Sequence, residues 1–149
     1  YVHETHLVKG KGHWMDRADT VAVPWMAQFR RNPLPLKVVW HQDGTPHDSF
    51  YWLSVPLKEA EKEKQVIAER KGNTFTILRN DYSTLKIGLN DNMIDFDKPV
   101  KVVIDGKVVY NKKVERSMID IYYSIDKRVD PRLVFSAYIT VHNNKSVKR

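Results

Sequence analysis

Apolar and polar residues alternate with two different periods along this chain. Ala18, Val21, Ala22, Trp25, Met26 and Phe29 recur at i, i+3, i+4, i+7, i+8 and i+11, a full apolar stripe at helical period. The pattern predicts a helix over 17–29, capped by Asp16, with Asp19 favouring its first turn. Pro24 lacks a donor and is expected to bend it. Asn32-Pro33-Leu34-Pro35 ends the helix and reads as a stiff linker. Ahead of it, residues 3–8 read as extended and Gly10-Lys11-Gly12 as a flexible turn.

Beyond residue 36 the period becomes two. Residues 37–42 are β-rich, and Asp43-Gly44-Thr45-Pro46 is a turn. In 49–55, Phe50 and Trp52 fall on one face and Tyr51, Leu53 and Val55 on the other, which predicts a strand covered on both sides. Residues 59–64 form a charged, exposed connection. Residues 65–69 and 74–78 read as a hairpin about Lys71-Gly72-Asn73. Leu85, Ile87 and Leu89 alternate with Lys86 and Gly88. Residues 100–104 and 107–110 flank Asp105-Gly106, the strongest short hairpin signal in the chain. Phe135, Ala137, Ile139 and Val141 mark a last strand. One helix interrupts the series: Ser117 caps it, Asp120 supports its first turn, and Asp130-Pro131 stops it. Met118, Ile121, Tyr122, Ile125 and Val129 form its apolar stripe. Seven or eight strands with turns about every ten residues predict a mainly β fold, an immunoglobulin-like β-sandwich over 36–142 carrying one helix.

Composition narrows the function classes. The chain has 149 residues and no Cys, which excludes a disulfide framework, a thiolate zinc site and a cysteine nucleophile. Its apolar runs, such as 21–27, fall short of the ~20 residues of a membrane span. Starting at Tyr1 rather than Met, it reads as a piece of a longer polypeptide with no visible signal peptide. The formal charge is +7, yet residues 1–37 hold six basic against three acidic side chains, residues 38–144 hold sixteen against fifteen, and the basic tail over 143–149 carries three more. A surplus at the two ends is not the one-sided basic face of a nucleic-acid binder, so neither nucleic acid nor a membrane surface is expected as partner.

His13 is the first candidate for chemistry. It follows an expected strand and a Gly-x-Gly loop and precedes an amphipathic helix, a place suited to a general base; packing beside Trp14 is the plainer role. Two His and two carboxylates in His41-Gln42-Asp43 and His47-Asp48 could approach a metal, but their spacing is equally that of a polar turn. Asn90-Asp91-Asn92 with Asp95 and Asp97 offers alternating oxygens for calcium without the Gly and Glu of an EF-hand, and such residues also simply form turns. Trp40, Tyr51, Trp52, Tyr82, Tyr110, Tyr122 and Tyr123 could stack on sugars; most are expected in the core, with Trp40 and Trp52 as a packed pair. His3 and His6 would point to opposite faces of a strand, a poor metal pair. No metal and no cofactor is expected.

Glu4-Thr5-His6-Leu7-Val8-Lys9-Gly10-Lys11-Gly12-His13-Trp14 resembles the end of an α/β-hydrolase domain, in which the catalytic His follows the last strand and precedes the last helix. Trp40-His41-Gln42, Phe50-Tyr51-Trp52-Leu53, Asp95-Phe96-Asp97-Lys98-Pro99-Val100 and Val103-Ile104-Asp105-Gly106-Lys107-Val108-Val109-Tyr110 resemble the β-sandwich appended to some bacterial α/β-hydrolase-like esterases and peptidases. The resemblance implies a hydrolase remnant over 1–35 and makes His13 the general base of an intact parent enzyme. It implies an upstream hydrolase domain as partner and a periplasmic or secreted location, with the cytoplasm still open. No G-x-S-x-G elbow is present, and only twelve residues precede His13, so nucleophile and carboxylate are both missing. The chain by itself is expected to be inactive, with a structural or substrate-positioning role. The competing expectation is a free-standing carbohydrate- or protein-binding module. Burying Trp25, Met26 and Phe29 is worth roughly 1.5–3 kcal/mol each, so they are expected to dock on the sandwich or on a second copy, favouring a homodimer.

Overall fold

The computed structural model describes residues 2–143. The chain divides into two compact units, the first ending at Asn32 and the second beginning at Pro33.

The first unit is thin. Residues 3–8 form no strand. The expected long helix is a 3₁₀ segment, Met15–Val21, followed by a short α-helix α1, Ala22–Met26. Met15, Asp16 and Arg17 have positive φ, and Asp16 caps nothing but pairs with Lys11 at 2.5 Å. Pro24 lies in the first turn of α1, where an N–H has no partner four residues back. It therefore marks where the α-helix can begin rather than bending a longer one. Neither helical segment buries a residue. Val21, Met26 and Phe29 stay exposed, and Trp25 tilts against Phe29 with centroids 4.8 Å apart.

The second unit is mainly β, with nine strands in two sheets among the described residues. One sheet joins β1 (Lys37–His41), β4 (Gln65–Lys71), β5 (Thr74–Asn80), β7 (Val100–Ile104) and β8 (Lys107–Lys112) in that order. The other joins β2 (Ser49–Phe50), β3 (Leu53–Ser54), β6 (Thr84–Leu89) and β9 (Ala137–His142). Neighbours are antiparallel except β5 and β7, which run parallel. Alternation places Val38, Trp40, Val66, Ala68, Phe75, Val100 and Val102 of the first sheet in one core with Leu85, Ile87, Leu89, Ile139 and Val141 of the second. Such an arrangement is compatible with a β-sandwich. Residues 33–36 are sewn into it: Trp52 Nε1 donates to Pro35 O at 2.9 Å and Arg70 Nη2 to Leu34 O at 3.1 Å.

Two local readings change. Residues 49–55 are not one strand but a two-residue hairpin, Ser49 pairing with Ser54 and Phe50 with Leu53. Tyr51 sits at φ +51°, a strained value for a non-glycine residue. The turn brings Trp52 and Leu53, consecutive and both fully buried, into the same core. A straight strand would send them to opposite faces. Trp40 and Trp52 are both buried but have different companions: Trp40 stacks with Phe50 and Tyr82, and Trp52 meets Phe75 edge-on.

The second change concerns α2, Met118–Arg128, which begins at the Ser117 cap accepting from Asp120 N and ends with Val129 left-handed. Its expected core stripe faces outward. Met118, Tyr122, Ile125 and Val129 are all exposed, and Ile121 is half-buried. The buried residue on α2 is Ser124. Its Oγ accepts from Phe135 N at 3.0 Å, and its hydroxyl proton faces Ile121 O at 2.9 Å and Phe135 O at 3.2 Å. Helix and following segment are thus joined by polar bonds, and Phe135 packs on the outer side of β6 at Gly88.

Candidate functional site

His13 lies in the turn before the 3₁₀ segment, exposed, with its ring edge-on to Trp14 at 5.4 Å. Among the described residues no carboxylate stands within ion-pair distance of it. His6 instead pairs with Glu4, Nε2 to Oε1 at 2.6 Å, and neither lies on a strand. That pair borders a groove of about 630 Å³ in the first unit, walled by Val8, Val21, Trp25 and Met26.

The metal candidates of the 41–48 region are held by other partners. Gln42 is buried and clasps the loop: its Nε2 donates to His47 O at 2.5 Å and its Oε1 accepts from His47 N at 2.9 Å. Asp43 Oδ1 accepts from Thr45 N, the turn-forming role. His41 faces Glu63 at 3.5 Å and Asp48 pairs with Lys127 at 2.6 Å. Two of the three 90–97 carboxylates are likewise engaged, Asp91 with Arg116 and Asp95 with Lys98 at 2.8 Å, and Asp95 also accepts from Asp97 N. The ammonium of Lys98 holds the Asp95 carboxyl below its ordinary range, as the Arg116 guanidinium does for Asp91. No group of three or more metal-ligating side chains occurs among the described residues. Of the aromatic set, Trp40, Trp52 and Tyr82 are core residues, Tyr51 and Tyr110 are half-buried, and Tyr122 and Tyr123 are exposed.

The convergence of chemical groups in the second unit is elsewhere. The C-terminal half of α2 lies over the outer face of the second sheet and leaves a cleft of about 260 Å³. Lys127, Arg128 and Tyr123 come from the helix, Lys86 and Tyr138 from β6 and β9, Ser54 from β3, and Asp48 from the loop before β2. Strand alternation makes this wall: Leu85, Ile87 and Leu89 point into the core, so Lys86 points out of it. Ser54 pairs with Lys86 and Tyr138 with Gly88, which aligns them on the same face.

Arg128 is folded inward rather than into solvent. Its Nη2 donates to Leu53 O at 3.1 Å, and its guanidinium lies 5.8 Å from the Phe135 ring centre. Burial lowers its pKa from the ordinary arginine value. Burial also pushes the Tyr138 hydroxyl up to about 12, despite the opposing pull of the Arg128 charge. Tyr123 meets Tyr138 edge-on at 5.9 Å. The Asp48 carboxylate raises the Lys127 pKa through their hydrogen bond. Among the described residues neither the Lys86 ammonium nor the Tyr138 hydroxyl has a hydrogen-bond or ion-pair partner. The cleft therefore holds three cationic side chains and one carboxylate.

Sequence reasoning singled out Asp48 and Tyr123 but not Lys86, Lys127, Arg128 or Tyr138. Arg128 lies four positions after Ser124 and seven after Ile121, the spacing of one helix face. The apolar stripe gave Ile121 but neither Ser124 nor Arg128, because periodicity counts only apolar side chains and the two polar ones are buried by the segment and sheet beneath them.

No family model, no curated protein and no solved structure matches the chain. No helix among the described residues is long and apolar enough to cross a membrane.

Proposed function

We propose that the chain is the C-terminal accessory region of an α/β-hydrolase-like serine hydrolase, an esterase or peptidase, with an appended immunoglobulin-like sandwich. In this reading the chain is non-catalytic by itself. His13 is the general base of the intact enzyme, and the sandwich positions substrate or the catalytic domain. The observation that carries it is the state of the first unit: a helix-period stripe, Val21, Met26 and Phe29, exposed beside a Gly-x-Gly-His loop. Each of these side chains is about half exposed and forgoes a corresponding part of the roughly 1.5–3 kcal/mol of full burial. A surface of this kind supports a missing cover, and the sheet of an upstream hydrolase domain fits the residues that carry the resemblance. Docking on a second copy is the competing cover.

Immunoblotting the cells that make the protein tests the reading directly. A polypeptide several-fold heavier than 17.5 kDa is expected. A single band at that mass overturns it, as does ester turnover by the isolated chain that His13→Ala abolishes. The cationic cleft favours a second reading, a ligand-binding module.

A further inference from the structure

We infer that the cleft between α2 and the outer face of the second sheet is a binding site for the phosphate group of a small molecule. The inference does not depend on the hydrolase reading, because every residue of the cleft belongs to the β unit.

Lys86, Lys127 and Arg128 line the cleft with one carboxylate, Asp48, which is already engaged by Lys127 at 2.6 Å, while Asp130, outside the lining, also acts on Arg128. Among the lining groups the surplus is two positive charges. Buried or half-buried charges are normally paired, and a surplus of two is matched by a dianion. A phosphate monoester carries about −1.5 to −2 at neutral pH, with three acceptor oxygens.

The donors match this ligand as well as the charge does. Arg128 presents a planar fork whose Nη2 is fixed on Leu53 O, leaving its other N–H groups for an oxyanion. Lys86 supplies a point charge from the opposite wall. The Tyr138 hydroxyl lines the same cleft and, like any phenol, is protonated and able to donate throughout the neutral range. Lys127 and Arg128 also lie at the negative end of the α2 dipole, which alone would account for two surface cations. It does not account for Lys86, which is on β6, nor for Arg128 turning inward instead of remaining solvated.

Size limits the ligand. About 260 Å³ lies below the ~300–1,000 Å³ of ordinary ligand pockets. It accommodates a head group with a small substituent against Val55, Pro56 and Leu57.

Calorimetric titration of the 149-residue chain with inorganic phosphate and with phenyl phosphate tests the inference, with phenyl sulfate and sodium chloride as controls at matched ionic strength. One-to-one saturable binding of phosphate or its ester is expected, tighter than phenyl sulfate, which carries a single charge. Lys86→Gln should weaken it about tenfold or more, the loss of one charge-assisted bond. Tyr138→Phe should weaken it less. Arg128→Gln removes a buried anchor and requires a check of folding by circular dichroism; Lys86→Gln does not touch the core and keeps the test decisive. Tighter phenyl phosphate than inorganic phosphate identifies an ester as the ligand; the reverse identifies the free anion. No saturation up to about 10 mM, far weaker than a micromolar site, overturns the inference. So does binding that Lys86→Gln leaves unchanged, or equal response to every anion.

Discussion

Gly88→Ala provides the sharpest test of the packing between the second sheet and the segment beneath α2. Two effects oppose each other. Alanine in a strand interior is favoured over glycine by roughly 0.5–1 kcal/mol, because glycine loses more backbone freedom on folding. Against this, a Cβ at position 88 would stand 2.7 Å from Phe135 Cγ, 2.8 Å from Cδ2 and 3.0 Å from Cδ1. Ordinary carbon contacts are about 3.5–4.0 Å, so the ring must retreat by most of an ångström. It has little freedom to do so. The clash is at the root of the ring, Phe135 is fully buried, its N–H is held by Ser124 Oγ at 3.0 Å, and Tyr138 packs edge-on at 5.9 Å. Overpacking of this kind costs about 1–3 kcal/mol. Sterics should outweigh propensity, leaving a net loss of about 1–2 kcal/mol. Urea denaturation should show a lower midpoint with an unchanged slope. In a domain of this size each kcal/mol lowers Tm by about 2–4 °C. A double-mutant cycle isolates the contact, since Phe135→Ala removes all three atoms that collide. In that background Gly88→Ala should be neutral or stabilising. A Gly88→Ala single variant as stable as the parent would refute the reasoning, because Phe135 would then not be locked against β6.

Other perturbations follow the same geometry. Ser124→Ala strips the partner from Phe135 N–H and should cost about 1–3 kcal/mol, whereas Met118→Ser and Ile125→Ser, on the exposed face of α2, should stay within about 0.5 kcal/mol by chemical denaturation. The opposite ranking would mean that the apolar stripe, not Ser124, faces the sheet. Gln42→Ala removes both hydrogen bonds that clasp His47, each worth roughly 0.5–1.5 kcal/mol, and should cost about 1–3 kcal/mol in total, read as a lower urea midpoint. Burial pushes the Glu59 carboxyl up, but the hydrogen bonds it accepts from Ser83 and Thr84 outweigh this and leave it below its ordinary range. A depressed folded value stabilises above the unfolded pKa and is lost as pH falls through the folded one. Glu59→Gln should therefore reduce stability near neutrality and flatten the acid limb; an unchanged acid profile would remove the anchor role. For Tyr138 the sign reverses: a phenol raised by burial to about 12 stabilises below about 10, the unfolded value, and loses that contribution as pH rises toward 12. Ultraviolet titration of Tyr138→Phe should lack one late-titrating phenol.

What the sequence determined by itself is the local structure. Asp105-Gly106 forms its hairpin with both residues at positive φ, because the turn chemistry is contained in two residues. Ser117 caps α2 and Leu85, Ile87 and Leu89 point inward, since capping and alternation need only neighbours a few positions away. The mainly β character follows from many such signals in agreement. Tertiary structure decided the rest. The 49–55 run reads as one strand, but Trp52 reaches Pro35 O and the chain folds back at Tyr51, an interaction across 17 positions that no periodicity carries. The α2 stripe reads as core, yet the helix docks through Ser124, because Phe135 already packs on the outer face of β6 at Gly88 and its backbone offers the helix polar partners instead. The cleft is invisible for the same reason. Lys86, Arg128 and Tyr138 are ordinary surface residues in their own elements, and only the register of three strands beneath one helix brings their charges and donors to a common point.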